Sequence, residues 1–217
     1  MTDTAREIGR VSDVAAAFAE LVIAEAPASI ALSGGATAED CYRALAVRQP
    51  DLSAVDVFLG DDRFVAVTHA DSNEGMIHRV LLAGAPARAV HSMYAAGSDP
   101  EAAAQGYDTL LRGYGPMDLV HLGLDPDGHT ASLFPGSPSL DVRDRLVIAA
   151  GDDAHPHPRI TFTFPAIEQA RLVVVTVAGA EKRDALAGVL ADDPALPATR
   201  VHADRVVWLV DAAALGE

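Results

Sequence analysis

The chain has 217 residues, half of them hydrophobic, and a formal net charge of -15 at pH 7. That length fits one large α/β domain over 1–217, and the acidity argues against a nucleic-acid partner, because phosphate backbones need clustered Lys and Arg. Apolar runs fall short of a membrane span, the N-terminus lacks a basic-then-apolar leader, and one cysteine, Cys41, rules out an internal disulfide; the expectation is a cytoplasmic protein with no membrane partner, a monomer or weak dimer.

Residues 11–26 are apolar and alanine-rich with helical character, capped by Ser12 or Asp13. Ser29–Leu32 reads as a short buried strand running into Ser33-Gly34-Gly35. Residues 37–47 then read as a helix, with Thr37 as N-cap and Glu39 and Asp40 in its first turn. The next strand, 55–59, ends at Gly60-Asp61-Asp62-Arg63, and 71–82 is helical with Asp71 or Ser72 as cap. A strand is expected over 89–93, and Asp99-Pro100 opens a helix to Leu111.

Residues 117–122 have the pattern of a buried strand, and 141–158 is a loop-rich excursion. In 159–164, Ile160, Phe162 and Phe164 alternate with threonines, the pattern of a half-exposed strand. Leu172–Val177 is a buried strand, 179–190 a helix, 192–197 a surface turn and 206–210 the last strand. Such repeated alternation predicts an α/β fold, with a doubly wound, mostly parallel sheet and helices on both faces, Rossmann-like.

The segment LGLDPDGHTASLFPGSP, residues 122–138, sets Gly, Pro and Asp residues around His129 just after a strand. Open α/β sheets bind ligands at the carboxyl ends of their strands. Histidine titrates nearest neutral pH, which suits general-base work. The alternative is a turn whose Asp, Pro and Gly serve backbone geometry alone.

Ser33-Gly34-Gly35 lies between strand and helix, where glycines let N–H groups approach an anion and the helix N-terminus adds positive charge. It is neither a Walker loop nor a dinucleotide fingerprint. With Arg159 and Lys182 downstream it reads as a phosphate cradle, though Arg159 fits a strand-edge charge as well. Lys182 falls in the first turn of a helix, where the macrodipole disfavours a cation unless that cation serves an anion. Asp61-Asp62-Arg63 follows a strand end and points into the expected cleft, or else forms a salt-bridged surface turn. Asn73 suits sugar hydroxyls or the capping of its own helix. His155 and His157 suggest a metal pair, but no further ligand motif accompanies them and exposure to solvent is the expectation. His69, His78, His91, His121 and His202 lack chemical context. There is no serine nucleophile elbow and no His-Glu-x-x-His zinc site.

The run Asp127-Gly128-His129-Thr130-Ala131-Ser132-Leu133-Phe134-Pro135 resembles the signature of the 6-phosphogluconolactonases. Ser33-Gly34-Gly35-Ala36-Thr37, Gly60-Asp61-Asp62-Arg63, Asp71-Ser72-Asn73, Pro158-Arg159-Ile160-Thr161 and Gly179-Ala180-Glu181-Lys182 are similar to further pieces of that family, in family order. The chain departs from the pattern at Asp125 (usually Gly), at Asp62 (usually Glu) and at Ala36-Thr37-Ala38 (usually Ser-Thr-Pro). Asp125 is expected to occupy a position needing positive φ, where Asp is tolerated, so that Asp125→Gly would leave activity within a few fold.

The resemblance implies hydrolysis of 6-phospho-D-glucono-1,5-lactone, with a sugar phosphate as small-molecule partner. His129 would be the base for water and Asp127 its orienting partner; backbone N–H groups of 123–128 or Arg63 would support the oxyanion, with Arg63 open equally to holding the phosphate. Ser33, Gly34, Gly35, Thr37, Asp61, Asn73, Arg159 and Lys182 would bind substrate. No metal or organic cofactor is expected, since a lactone is already an electrophilic ester. A glucosamine-6-phosphate deaminase/isomerase has a similar fold and Asp-Gly-His loop but continues it with a Phe-Asn-Glu type of sequence. A non-catalytic sugar-phosphate sensor would keep the cradle and have no need of Asp127 and His129.

Overall fold

The computed structural model describes residues 6–95, 97–151 and 156–217. Its strands are β1 (Glu7–Arg10), β2 (Ser29–Leu32), β3 (Asp56–Leu59), β4 (Asp61–Arg63), β5 (Ala89–Val90), β6 (Leu119–Gly123), β7 (Val147–Ala150), β8 (Arg159–Phe162), β9 (Leu172–Val177) and β10 (Arg205–Val210). The helices are α1 (Val14–Glu25), α2 (Ala36–Val47), α3 (Asn73–Ile77), α4 (Pro100–Tyr114), α5 (Phe164–Glu168), α6 (Arg183–Leu190) and α7 (Ala212–Leu215).

Seven strands make one sheet in the order β1-β10-β9-β6-β2-β3-β5, and every neighbouring pair is parallel. From β2 the chain moves outward to β3 and β5; from β6 it moves the other way, to β9 and β10. The direction reverses between β2 and β6, where the loops leaving adjacent strands diverge and open a crevice. Right-handed crossovers place α1, α2 and α3 on one face and α4 and α6 on the other. Phe18 of α1 packs edge-on to Tyr42 of α2, with centroids 6.0 Å apart. Covered on both faces, β2, β3 and β9 are buried throughout, which accounts for the unbroken apolar run in β9.

Several elements differ from the sequence expectation. A second sheet, antiparallel β4-β8-β7, packs beside the first. Its middle strand β8 is wholly buried rather than half-exposed. The threonine there is satisfied internally: Thr161 Oγ1 donates to the Phe162 carbonyl (3.0 Å) and accepts the Ser132 N–H (3.1 Å). Phe164 starts α5, with a proline in its first turn, and does not extend the strand. β7 emerges from the expected loop-rich excursion, held by Asp108 of α4, whose Oδ1 accepts the N–H groups of Leu146 (2.5 Å) and Val147 (3.2 Å). β1 carries no apolar run, and its pairing with β10 makes it a strand.

The caps hold in part. Asp13, Ser72 and Asp99 each accept an N–H of the first turn of α1, α3 and α4. The N-cap of α2 is Gly35 and not Thr37, because the chain turns there at φ 95°. The helix expected over 71–82 is α3 followed by a π-helical turn, His78–Leu82, and the one over 179–190 begins with a 3-10 turn, Ala180–Lys182. Among the described residues no helix is long and apolar enough to cross a membrane.

Candidate active site

A cleft of about 380 Å³ opens at the crevice between β2 and β6. Ser33, Gly34, Gly35, Thr37, Asp61, Arg63, Asn73, His129, Arg159 and Lys182 all line it. Of the residues expected at the site, Asp127 alone is not in the wall; it stands behind the histidine. Another hollow, of about 310 Å³, lies among Val22, Leu52, Val55 and Leu81, and its walls are too apolar to orient a charged substrate.

The glycines after β2 are needed for different reasons. Gly35 takes φ 95°, which an L side chain rarely adopts, although a Cβ there would meet nothing. At Gly34 a Cβ would run into the carboxamide of Asn73. Ala36, Thr37 and Ala38 of the first turn of α2, whose amides have no intrahelical acceptor, also line this cleft. Ser33 itself is committed to the fold: its Oγ donates to the His121 carbonyl (2.6 Å) and its N–H to Tyr42 Oη (2.8 Å).

Asn73 ties the loops together. Its Nδ2 donates to the Asp61 carbonyl (2.9 Å), its Oδ1 accepts from Arg63 Nη1, and its N–H donates to Asp62 Oδ1 (2.7 Å). Asp62 also accepts the N–H groups of Arg63 (2.7 Å) and Glu74 (3.0 Å), so it caps α3 from a distance. Burial pushes its carboxyl up to about 6, against those backbone donors. Asp61 is buried too, and its Oδ2 accepts from Ser132 Oγ at 2.7 Å. Asp61 and Asn73 therefore brace the cleft as well as line it.

His129 sits on a tight turn. The Gly128 N–H donates to the Asp125 carbonyl (2.8 Å) and the Asp125 N–H to the His129 carbonyl (3.1 Å), with Gly128 at φ 84°. The imidazole Nδ1 lies 2.7 Å from Asp127 Oδ1, which also accepts the His129 N–H (3.1 Å). Its Nε2 lies 2.8 Å from Asp125 Oδ2, and Asp125 Oδ1 accepts from Lys182 Nζ at 2.9 Å. Burial lowers the histidine pKa, but the carboxylates of Asp125 and Asp127 together outweigh it and the net direction is upward. Asp125 is held well below the usual carboxylate range by its bond to His129, against burial, with help from Lys182.

The expectation for Asp125 is thereby corrected. The positive-φ residues of 122–138 are Gly128, Ala131 and Gly136; Asp125 is not one of them. What the position contributes is its side chain, which joins His129 to Lys182. The departure from the family's Gly was the signal in the sequence, and its meaning lay in the tertiary contact.

The cations come from three elements. Arg63 of β4 and Arg159 of β8 are direct partners in the antiparallel register, so both side chains lie on one face of the small sheet. Lys182 approaches from the turn before α6. In the cleft wall Arg63, Arg159 and Lys182 stand against Asp61, Asp125 and Glu181, a locally balanced site in a strongly acidic chain. Like charges directly across a strand pair repel, a cost that a bound phosphate would relieve.

Below the cleft, His121 is fully buried and bonds Tyr42 Oη (2.8 Å) through Nδ1 and Thr176 Oγ1 (2.9 Å) through Nε2. Burial pushes it down to about 3, so it stays neutral. Thr176 and Glu181 are cleft residues that the sequence did not single out. His155 lies outside the described residues, and His157 Nε2 lies 3.0 Å from Asp71 Oδ2.

The chain is similar to known proteins over most of its length. Residues 4–208 match the family described as glucosamine-6-phosphate isomerases/6-phosphogluconolactonase. The chain is 42% identical to the 6-phosphogluconolactonase of Synechocystis sp. over 84% of its own length and 81% of that protein. It is 35% identical to the 6-phosphogluconolactonase of Mycobacterium tuberculosis, over 90% of this chain and 87% of that one. The crystal structure of the 6-phosphogluconolactonase from Thermotoga maritima superposes with a TM-score of 0.84 at 30% identity, covering 95% of this chain and 100% of the other. A monomeric glucosamine-6-phosphate deaminase superposes equally well, TM-score 0.85, at 17% identity, and shares the fold alone. With a match across most of its length, the chain belongs to the glucosamine-6-phosphate isomerase/6-phosphogluconolactonase family.

Proposed function

We infer that the chain hydrolyses 6-phospho-D-glucono-1,5-lactone to 6-phospho-D-gluconate, the second step of the oxidative pentose phosphate pathway. The observation that carries this reading is one cleft joining a carboxylate-backed histidine, His129, to Arg63, Arg159 and Lys182. The histidine suits activation of water and the cations suit a phosphate. The names of relatives at 35% and 42% identity support the lactonase over the isomerase branch.

In the proposed mechanism the phosphate docks on Arg159 and Lys182, beside the first amides of α2. Its charge competes with Asp125 for Lys182, and as Asp125 withdraws, Nε2 of His129 becomes available. His129 Nε2 takes a proton from water as the water oxygen bonds to C1, while Asp127 at Nδ1 holds the ring and stabilises its charged form. Arg63, oriented by Asn73, and nearby backbone N–H groups stabilise the oxyanion. When the C1–ring oxygen bond breaks, the imidazolium returns the proton to the departing ring oxygen. The second proton of the water stays on the new C1 carboxyl group and passes to solvent as the acid ionises, so the step balances without a metal or organic cofactor.

The test is an assay of lactone opening above the spontaneous rate, run beside an assay for deamination of glucosamine 6-phosphate. Catalysed opening without deamination is the expected result. Deamination without lactone opening would move the chain to the other branch of its family.

A further inference from the structure

Outside the cleft, folding brings His69, Asp71 and His157 together, with one ligand-type atom of each lying within 4.8 Å of the others. Asp71 Oδ2 is 3.0 Å from His157 Nε2 and 3.8 Å from His69 Nδ1, and the two imidazoles meet edge-on with centroids 5.3 Å apart. A tetrahedral ion with ligands at about 2.0–2.2 Å separates its ligand atoms by roughly 3.3–3.6 Å, so small side-chain adjustments would close the set.

The surroundings are prepared for this. His69 Nδ1 accepts the Asp71 N–H (3.1 Å), so it is the unprotonated nitrogen of that ring, and its lone pair can bind an ion once it gives up the amide. The amide it would release is exposed, and water can take it over. The backbones are also held. His69 N–H donates to the Ala66 carbonyl (2.7 Å) and Ser72 N–H to the His69 carbonyl (3.2 Å). Beyond the Arg63–Arg159 pair, the Phe64 N–H donates to the Pro158 carbonyl (2.7 Å), so the β4–β8 ladder runs on to the foot of the cluster.

We propose that His69, Asp71 and His157 form a binding site for one divalent transition-metal ion of the Zn2+ type. Two neutral imidazoles and one carboxylate suit Zn2+, Ni2+ or Cu2+, whereas Mg2+ and Ca2+ prefer oxygen ligands throughout. Three protein ligands leave a fourth position for water. The ion bridges the segment between β4 and α3 to the one entering β8, and so staples together the two stretches that carry Arg63 and Arg159.

The full chain, stripped with a chelator and dialysed, is titrated calorimetrically with ZnCl2 in a non-coordinating buffer. One equivalent is expected to bind, to be lost in His69→Gln and in His157→Gln, and to survive in His129→Ala. At a free concentration 100-fold above Kd, Zn2+ should raise Tm by about 5–10 °C, with no rise from Mg2+ or Ca2+. Neither substituted side chain belongs to the core, His69 being exposed and His157 partly so, and a native circular dichroism spectrum confirms folding of each variant. No saturable equivalent, one that persists in both glutamine variants, or one that disappears with His129 would overturn the assignment.

Discussion

Asp125 Oδ2 lies 2.8 Å from Nε2 of His129, while the second oxygen of the same carboxylate lies 2.9 Å from Lys182 Nζ. One side chain thus spans the proposed base and a proposed phosphate ligand, making with each the contact that the reaction assigns to water or to substrate. In the proposed mechanism the carboxylate is therefore a built-in competitor. It also biases His129 toward the protonated form, which cannot accept a proton.

A pH prediction follows from the sign of that bias. A general base works only when deprotonated, so activity falls as pH drops through the pKa of His129, and the neighbouring carboxylates move that pKa upward. Asp125→Gly removes the first of the raising contacts and should shift the acid limb of kcat/KM toward lower pH. It should also lower KM by about 1.5- to 5-fold, the worth of a half-exposed ion pair that phosphate no longer has to displace. Initial rates across pH for both proteins provide the check; an unmoved acid limb means that Asp125 does not bear on the base.

Removing the base itself has a larger effect. His129→Ala should reduce kcat by roughly 10²- to 10⁴-fold. Its fold should persist, because the histidine lies at a cleft wall and not in the core. Near-normal turnover by a variant with an unchanged melting curve would assign the proton transfer elsewhere.

The phosphate cluster can be isolated by pairing mutation with substrate. Lys182→Gln and Arg159→Gln should each cut kcat/KM for the phosphorylated lactone by roughly 10- to 150-fold, the value of a charge-assisted hydrogen bond. With gluconolactone, which lacks the phosphate, the same changes should matter little. Spontaneous opening is subtracted in every run, and equal losses on both substrates would remove these cations from phosphate binding.

Gly34 and Asn73 offer a structural test. A methyl at position 34 meets the Asn73 carboxamide, which holds Arg63 Nη1. Gly34→Ala should therefore displace Asn73 and lower kcat/KM by at least about 10-fold through misplacement of Arg63. Adding Asn73→Ala makes room for the methyl, so the double variant should lose less than the two single losses combined. Strict additivity across the cycle would show that the two positions act separately.

The sequence by itself determined the strand–loop–helix alternation and which loops supply the candidate site. Buried strands such as Leu172–Val177 announce themselves through continuous apolar runs, and caps such as Asp99 through local hydrogen-bonding chemistry. Both signals are carried by neighbouring residues. The loop holding Asp127 and His129 was legible for the same reason, since their contact spans two positions. Only the tertiary structure decided what depends on distant partners. β8 is buried because β4 and β7 flank it, Arg63 faces Arg159 because of register, and Asp125 reaches Lys182 across 57 positions of chain. His69, without context in the linear order, and His157, which the sequence sets beside His155, share a carboxylate because the β4–β8 ladder sets their loops side by side. Local pattern fixes the type of an element and the place of a loop, whereas a side chain's partner follows from packing between segments that the sequence holds far apart.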